Sequence, residues 1–261
     1  MTQASSAHNQ LIQQEFTKQA TAYASNPVII DSDWALRLVQ AVQPTPESRV
    51  LEVATGPGYV ALAFATVARE VVGVDLTDAP LAIARKNREE RGLTNVSFES
   101  ADAKQLPFED ESFDIAVCRL AFHHFDLPQQ VFSEMARVCR PGGKVAVEDM
   151  IASEQPDRAN YYNHWERLRD PSHTTALSVS QLLAFYTAAG LEIDTLQSEQ
   201  RAQDVEQWMR NTQTPSETAE EIRKLIREDA DHQISGTPIF HDEEGRLCFR
   251  HRMVTVVGRK L

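Results

Sequence analysis

Short apolar runs alternate with stretches of helical periodicity through the middle of the chain, and this alternation predicts the architecture. The apolar runs have the length and composition of strands buried on both faces, and they cover residues 50–53, 70–74, 96–99, 113–118 and 144–147. Between them, apolar side chains recur at the spacing of an amphipathic helix, and Gly or Pro ends most of these stretches. The alternation predicts an α/β fold with a doubly wound, Rossmann-like and mostly parallel sheet.

The two ends of the chain add elements to this core. Residues 9–24 and 32–42 have helical spacing, and two prolines separate them from the first strand. Residues 191–196 alternate in the manner of a sixth strand. A turn at residues 243–245 precedes a last strand over 247–257, which we expect to lie antiparallel at the edge of the sheet.

Local motifs predict where two helices of the second half begin. Asp126 with Gln129 and Ser178 with Gln181 both have the spacing of a capping box, in which each side chain bonds a free backbone amide of the other's turn. Pro128 suits the first turn of the earlier of these helices. Residues 156–169 form a further amphipathic helix that runs into a loop.

Charge and cysteine content narrow the range of partners. The chain has 261 residues, a net charge of −12 and no block of Lys or Arg, which argues against nucleic acid or an anionic membrane as partner and disfavours a polyanionic substrate. The three cysteines are far apart and odd in number, which is typical of buried thiols in a reducing compartment. No signal peptide opens the chain and no apolar run reaches the length of a membrane span, so we expect a cytoplasmic protein without membrane insertion.

A glycine turn follows the first predicted strand. Gly56 and Gly58 let a ligand approach the bare backbone, and a helix that starts near Tyr59 would direct its free amides at that ligand. Residues 56–61 satisfy the G-x-G-x-x-G/A fingerprint, and Asp75 lies about 20 residues further on, where an acid that binds ribose is expected. The pattern alone does not separate a nicotinamide cofactor from an adenosyl cofactor, nor either one from a structural loop.

The order of motifs along the chain resembles a known family. The segments VLEVATGPG, VVGVD, SADAKQLPFEDESFDIAVCR, AFHHF and ARVCRPGGKV are similar to those of class I S-adenosylmethionine-dependent methyltransferases, and most of all to the quinone-biosynthesis branch and its uncharacterised bacterial relatives. The resemblance covers roughly residues 10–200. It implies an N-terminal helical lid over residues 1–46 and a methyltransferase domain over 47–261, with lid insertions near 151–178 and 203–235.

The resemblance also implies a set of cofactor contacts for S-adenosyl-L-methionine, a ligand that offers hydroxyls and an ammonium but no phosphate. Asp75 would accept hydrogen bonds from the ribose hydroxyls, and Asp102 with the Ala103 amide would read the adenine edge, unless these acids only serve turns or helix caps. Ala54 stands where the family has its first glycine. The expected cofactor-binding residues are Tyr23, Glu52, Ala54, Thr55, Gly56, Gly58, Asp75, Leu76, Asp102, Ala103 and Arg119. Packing is the alternative for Tyr23, and bonding to backbone amides is the alternative for Glu52.

Methyl transfer to an acceptor that carries a proton needs a base. His123 and His124 lie near the end of the fourth strand, and His173 lies in the loop after the 156–169 helix, so these three are the catalytic candidates. His164 and Arg167 are further candidates for binding the acceptor. Capping, packing or solvent exposure remains the alternative for each of them. The irregular spacing of these residues does not indicate a metal site.

Two other functions are alternatives to methyl transfer to a small-molecule acceptor. An NAD(P)-dependent short-chain reductase uses a Tyr four residues before a Lys, and this chain contains no such pair. A non-catalytic module that binds S-adenosylmethionine, or an assembly partner, stays open as an alternative, as does a homodimer.

Overall fold

The structure is a computed structural model that describes residues 3–24 and 32–261, with side chains described for 7–21 and 33–261. One sheet of eight strands forms the centre of the molecule. The strands are β1 (Arg49–Val53), β2 (Glu70–Asp75), β3 (Val96–Ser100), β4 (Phe113–Arg119), β5 (Cys139–Met150), β6 (Leu191–Asp204), β7 (Ile239–His241) and β8 (Leu247–Lys260).

The strand order confirms the predicted fold class. Along the sheet the order is β3-β2-β1-β4-β5-β8-β6, with β7 paired to the start of β8. The first five strands of that order pair in parallel, whereas β8 runs antiparallel to both β5 and β6. The order reverses between β1 and β4, and ligands of such sheets bind at the carboxyl ends of the strands near this point.

Helices cover both faces of the sheet. They are α1 (Gln3–Ala24), α2 (Ser32–Val42), α3 (Tyr59–Phe64), α4 (Asp78–Glu90), α5 (Pro128–Val138), α6 (Pro156–Arg169), α7 (Val179–Ala188), α8 (Val205–Asn211) and α9 (Ser216–His232), with a 3₁₀ turn at Phe122–His124. No helix within the described ranges combines the length and hydrophobicity that a membrane crossing needs.

Three buried clusters hold these layers together. Leu38 of α2 and Leu62 of α3 pack on one face of the sheet, and Phe132 of α5 and Tyr186 of α7 pack on the other. A third cluster, centred on Trp165, joins α6, α8 and α9 to the first half of β8. The helices of this third cluster follow β5 in the chain, and they lie beside the carboxyl ends of the parallel strands.

Two sequence predictions about local structure are corrected here. The last strand does not form the edge of the sheet, because β6 extends to Asp204 and pairs with β8 along its outer side. The capping box at Asp126 is wrong: α5 begins after Leu127, and Asp126 instead accepts a hydrogen bond from the Lys104 ammonium at 3.0 Å. An ammonium that is nearly buried needs this carboxylate more than the helix terminus does. The capping box at Ser178 is confirmed.

Candidate functional site

A cleft opens at the carboxyl ends of β1, β2 and β4, and we call it the glycine-turn cleft. It encloses about 1060 Å³ of empty space, including the part open to solvent. The structure brings ten of the predicted site residues into its lining: Glu52, Ala54, Thr55, Gly56, Asp75, Leu76, Asp102, Ala103, Arg119 and His124. Most of these residues follow directly from a strand end, because parallel strands deliver their carboxyl ends to the same edge.

Asp75 fastens the glycine turn to the end of β2. Its Oδ2 accepts a hydrogen bond from the Gly56 amide at 2.8 Å, and its Oδ1 accepts one from the Thr77 amide at 2.9 Å. Burial raises the pKa of this carboxyl, and the two amides act against that rise. Each carboxylate oxygen has a second lone pair, so Asp75 can still accept hydrogen bonds from a ligand in the cleft.

Glu52, in β1, holds the same turn through hydrogen bonds. Its Oε2 accepts hydrogen bonds from the Thr55 hydroxyl at 2.5 Å and from the Ala61 amide of α3 at 2.7 Å. The residue is 2% exposed, and burial raises the pKa of its carboxyl to about 7. Glu52 thus bonds the backbone and also lines the cleft. An ammonium group of a ligand in the cleft would favour the ionised form of the Glu52 carboxyl.

Helix α1 lies across the mouth of the cleft and is hydrogen-bonded to its rim. The Asn9 amide donates to Asp102 Oδ2 at 2.9 Å, while Lys104 Nζ donates to Asn9 Oδ1 at 2.7 Å. Gln13 donates to the Leu76 carbonyl at 3.1 Å. The Lys104 amide occupies Asp102 Oδ1 at 2.9 Å, so both Asp102 oxygens are engaged by the protein.

Gly58 does not line the cleft, although it was predicted among the cofactor contacts. Gly58 is outside the cleft lining, and a Cβ added there would lie 2.7 Å from the Phe98 ring, at a φ of +82°. Packing against Phe98 and the left-handed turn therefore require this glycine, not contact with a ligand. The Tyr23 side chain lies outside the described residues. Ala54, in contrast, lines the cleft at a φ of +56°, a conformation that favours glycine.

A second cleft adjoins the first, and we call it the histidine cleft. It encloses about 720 Å³ of empty space between the strand ends, α6 and α8. Three residues line both clefts and form the wall between them: Phe16, Leu120 and His124. Leu120 has a φ of +54°, which turns the chain back immediately after β4. Two compartments that share a wall can bring two different ligands into contact.

His124 is held as a neutral imidazole in this wall. Ser172 Oγ donates its proton to Asp170 Oδ1 at 2.6 Å, so it accepts a hydrogen bond from His124 Nδ1 at 3.1 Å. This arrangement leaves the His124 Nε2 lone pair without a proton. Burial, followed by the charge of His123, lowers the pKa of His124 to about 4. The imidazole is therefore neutral near neutral pH, and its Nε2 lone pair is available to a ligand.

The neighbouring His123 has the opposite electrostatics. Its Nδ1 donates to Asp149 Oδ1 at 2.6 Å, and its ring centroid lies 4.2 Å from that of His124. Burial alone would lower the pKa of His123, but the charge and hydrogen bond of Asp149 raise it. An imidazolium at His123 and a neutral imidazole at His124 are thus stabilised side by side.

His173 and the α6 candidates lie elsewhere. The buried His173 ring donates from Nε2 to Asn163 Oδ1 at 2.7 Å and lines neither cleft. His164 is exposed on α6, and Arg167 donates to the Thr174 carbonyl on the outer surface. These residues support the α6 loop, and the structure does not bring them to either cleft.

Two polar residues in the second half of the chain that line the histidine cleft were not identified from the sequence. His251 lines the histidine cleft and donates from Nε2 to the buried Glu166 carboxylate at 2.9 Å. Its signal was the alternation of β8, in which Phe249, His251 and Met253 share one face. Arg201 also lines this cleft, from a part of β6 that extends beyond the predicted strand. Within the described ranges, no group of three or more His, Cys, Asp or Glu side chains is arranged to hold a metal ion.

Comparisons with known proteins agree with this geometry. A family described as a methyltransferase domain matches residues 51–147. An uncharacterized methyltransferase of Bacillus subtilis, YcgJ, is 33% identical over 94% of this chain and 97% of its own length. The crystal structure of YcgJ superimposes with a TM-score of 0.82 at 31% identity, over 87% of this chain and 97% of that one. The ubiquinone/menaquinone biosynthesis C-methyltransferase UbiE of Bdellovibrio bacteriovorus is 31% identical over 62% of this chain and 71% of its own length.

Proposed function

Because the chain belongs to the class I S-adenosylmethionine-dependent methyltransferase family, we propose that it transfers a methyl group from S-adenosylmethionine in the glycine-turn cleft to a small-molecule acceptor in the histidine cleft. The observation that carries this proposal is the wall that the two clefts share, with a neutral imidazole in it. When bound, the cofactor supplies an electrophilic methyl group on its sulfonium. The positioning of the two substrates supplies much of the rate in a reaction of this kind.

The residues of the glycine-turn cleft fit this cofactor. Asp75 presents a carboxylate to the ribose hydroxyls, and Glu52 presents one to the ammonium of the methionine tail. Asp102 and the Ala103 amide are the proposed contacts for the adenine edge, with Leu76 beside the ring. The lining carries three acids at strand ends and so suits a ligand without phosphate. Helix α1 is the proposed lid, because Asn9 and Gln13 bond it to the rim.

The proposed base for the acceptor is His124. Its Nε2 carries no proton, and Ser172 and Asp170 orient the ring from the other side. His123, whose pKa Asp149 raises, is the proposed group that in its protonated form stabilises negative charge developing on the acceptor, such as on the oxygen of a phenol or enol. Relatives named for quinone biosynthesis support an acceptor with an apolar ring, and the apolar residues Phe16, Leu120 and Met150 of the histidine cleft suit such a ring.

Two subsidiary proposals follow from composition and layout. Of the helical region expected over residues 1–46, α1 is the proposed lid, whereas α2 packs on the sheet with the catalytic domain, and the segments near 151–178 and 203–235 are the proposed walls of the acceptor site. A cytoplasmic location is supported by the three buried cysteines, all of which are free thiols.

Calorimetry with S-adenosylmethionine and NADH tests the cofactor assignment. We expect the wild-type protein to bind S-adenosylmethionine and not NADH, and we expect Asp75→Asn to weaken binding by about 100-fold, because two charge-assisted hydrogen bonds are lost. Asp78→Asn is the matched control, since this exposed acid lies three residues away outside the cleft. Thermal melts establish that the variants fold. Equal affinity of the wild type and Asp75→Asn would remove Asp75 from the site.

A screen of small acceptors with a labelled methyl donor separates the enzyme from a non-catalytic binding module. The expected result is a labelled product for the wild type and a loss of about 100-fold in kcat for His124→Asn, which retains an amide in place of the ring. A protein that binds the cofactor but labels no acceptor would favour the non-catalytic module. Full turnover by His124→Asn would exclude His124 as the base.

A further inference from the structure

Hydrogen-bond donors and positive charge dominate one part of the histidine cleft. The described residues of its lining include two guanidinium groups, Arg169 and Arg201, but one carboxylate, Asp170. Asp170 is already engaged, because both the hydroxyl and the amide of Ser172 donate to its Oδ1. The lining therefore carries more positive than negative charge, although the protein as a whole is acidic.

Arg201 is buried with its hydrogen-bonding capacity only partly used. The residue is 7% exposed, and its Nη2 donates to Glu148 Oε1 at 3.1 Å and to Glu199 Oε1 at 3.3 Å. Its Nε and Nη1 are buried without a hydrogen-bond partner among the described residues. Glu148 Oε1 also accepts from Arg119 Nε at 2.9 Å, so one fully buried carboxylate serves two guanidinium groups. Unsatisfied buried donors of this kind call for a ligand or another explanation.

Two neighbours in the same lining add to this, Trp208 through an unpaired donor and Arg169 through its charge. The indole Nε1 of Trp208 is buried without a partner. The guanidinium of Arg169 lies 5.0 Å from the Trp208 ring centroid, and its Nε donates to the Trp208 carbonyl at 3.3 Å. No carboxylate of the described chain lies within ion-pair distance of Arg169. Two side chains of this lining, Arg201 and Trp208, thus have buried donors without an acceptor, and Arg169 adds positive charge beside them.

From these contacts we infer that the acceptor carries a single carboxylate, and that Arg201, Trp208 and Arg169 bind it. A carboxylate accepts charge-assisted hydrogen bonds through both of its oxygens, and the unused Nη1 of Arg201 and Nε1 of Trp208 can each supply one. Apolar side chains complete the lining and suit an apolar body: Phe16, Leu120, Met150 and Met253. The inference rests on the proposed function for the identity of the ligand as acceptor, but the carboxylate site itself can be tested without any methyl transfer.

Benzoate and its neutral analogue benzamide are the probes, and calorimetry or ligand-observed NMR measures their binding to the full chain. The wild type is expected to prefer benzoate by at least about tenfold, because the charge-assisted bonds to the guanidinium are lost with the amide. Arg201→Gln is expected to abolish that preference. This variant keeps the Arg119–Glu148 pair, so no carboxylate is left alone in the interior.

Arg37→Gln is the matched control. Arg37 stacks on the same Trp34 ring as Arg201 and pairs with the same Glu199, but its side chain is 60% exposed and it does not line the cleft. The control is expected to keep the preference for benzoate. Equal binding of both probes to the wild type, or no binding of benzoate up to about 10 mM, would overturn the inference, as would an undiminished preference in Arg201→Gln.

Trp208→Phe is a second variant that tests the same site if Arg201→Gln does not fold. It removes the indole N–H and keeps an aromatic ring, and it should weaken benzoate binding severalfold without a comparable effect on benzamide. Unchanged benzoate affinity in this variant would remove Trp208 from the site.

The outcomes of these binding tests are distinguishable from the outcomes that test the proposed function. Cofactor binding without a preference for benzoate refutes this inference alone, whereas a preference for benzoate without cofactor binding refutes the proposed function alone.

Discussion

The buried carboxyl of Glu52 should make the stability of this protein depend on pH in a predictable way. Burial raises its pKa from an ordinary 4.5 to about 7, although Thr55 and the Ala61 amide donate hydrogen bonds to it. The folded protein therefore keeps a proton that the unfolded chain has already released. Between these two pKa values the unfolded state binds fewer protons, so the free energy of unfolding falls as pH rises. This contribution is fully present below pH 4.5 and is lost through about pH 7.

The size of the effect follows from the same two values. The difference between 4.5 and about 7 corresponds to about 3 kcal/mol. Roughly 2 to 3 kcal/mol of this should be lost between about pH 5 and about pH 8. Glu52→Gln keeps an oxygen that can accept from Thr55 and Ala61 but has no proton to release. The variant should therefore gain stability relative to the wild type by that amount over the same range.

Urea unfolding of both proteins at several pH values measures the difference, in which other titrating groups cancel. Glu47→Gln is the control, because Glu47 is exposed just before the same strand and its replacement should change the free energy of unfolding little. A constant difference between the wild type and Glu52→Gln, within about 0.5 kcal/mol, would mean that Glu52 is ionised in the folded protein. The raised pKa of Glu52 in the folded protein would then be wrong.

Three further outcomes are expected. Gly58→Ala should lower the free energy of unfolding by about 2 kcal/mol, because the new Cβ would lie 2.7 Å from the Phe98 ring. Adding Phe98→Leu to this variant should restore part of the loss. If urea unfolding shows that the effects of the two substitutions simply add, the packing of Gly58 against Phe98 is not the cause. Nitrogen-detected NMR should find a higher pKa for His123 than for His124, with His124 neutral near neutral pH and its proton on Nδ1. Titration of His124 near pH 6.5 would contradict the low pKa that burial produces, and a proton on Nε2 would contradict the hydrogen bond to Ser172. Ala54→Gly should raise the unfolding free energy by up to about 1 kcal/mol because the φ of +56° favours glycine, and a loss of stability in the same assay would show that the methyl group packs favourably.

The fold was largely predictable because its signals are local. Each parallel strand is a short apolar run, and the Ser178 capping box and the glycine turn depend on residues close together in sequence. The position of β8 between β5 and β6 was not predictable from such signals, since it depends on pairing between segments far apart in the chain. Asp126 shows the same limit, because its motif matched a cap while a lysine 22 residues away took its carboxylate.

The sequence by itself determined the parallel sheet, the turn that carries Gly56, and the acids at the ends of β1 and β2, because the periodicity of buried residues and the order of strands suffice for these. Only the tertiary structure decided which side chains share a cleft. It placed His124 in the wall of both clefts, bonded the buried His173 to Asn163 away from them, packed Gly58 against Phe98, and brought Arg201 and His251 into the lining of the histidine cleft. The physical reason is that burial, proton affinity and unsatisfied donors depend on neighbours supplied by distant segments, and these neighbours exist only once the chain has packed.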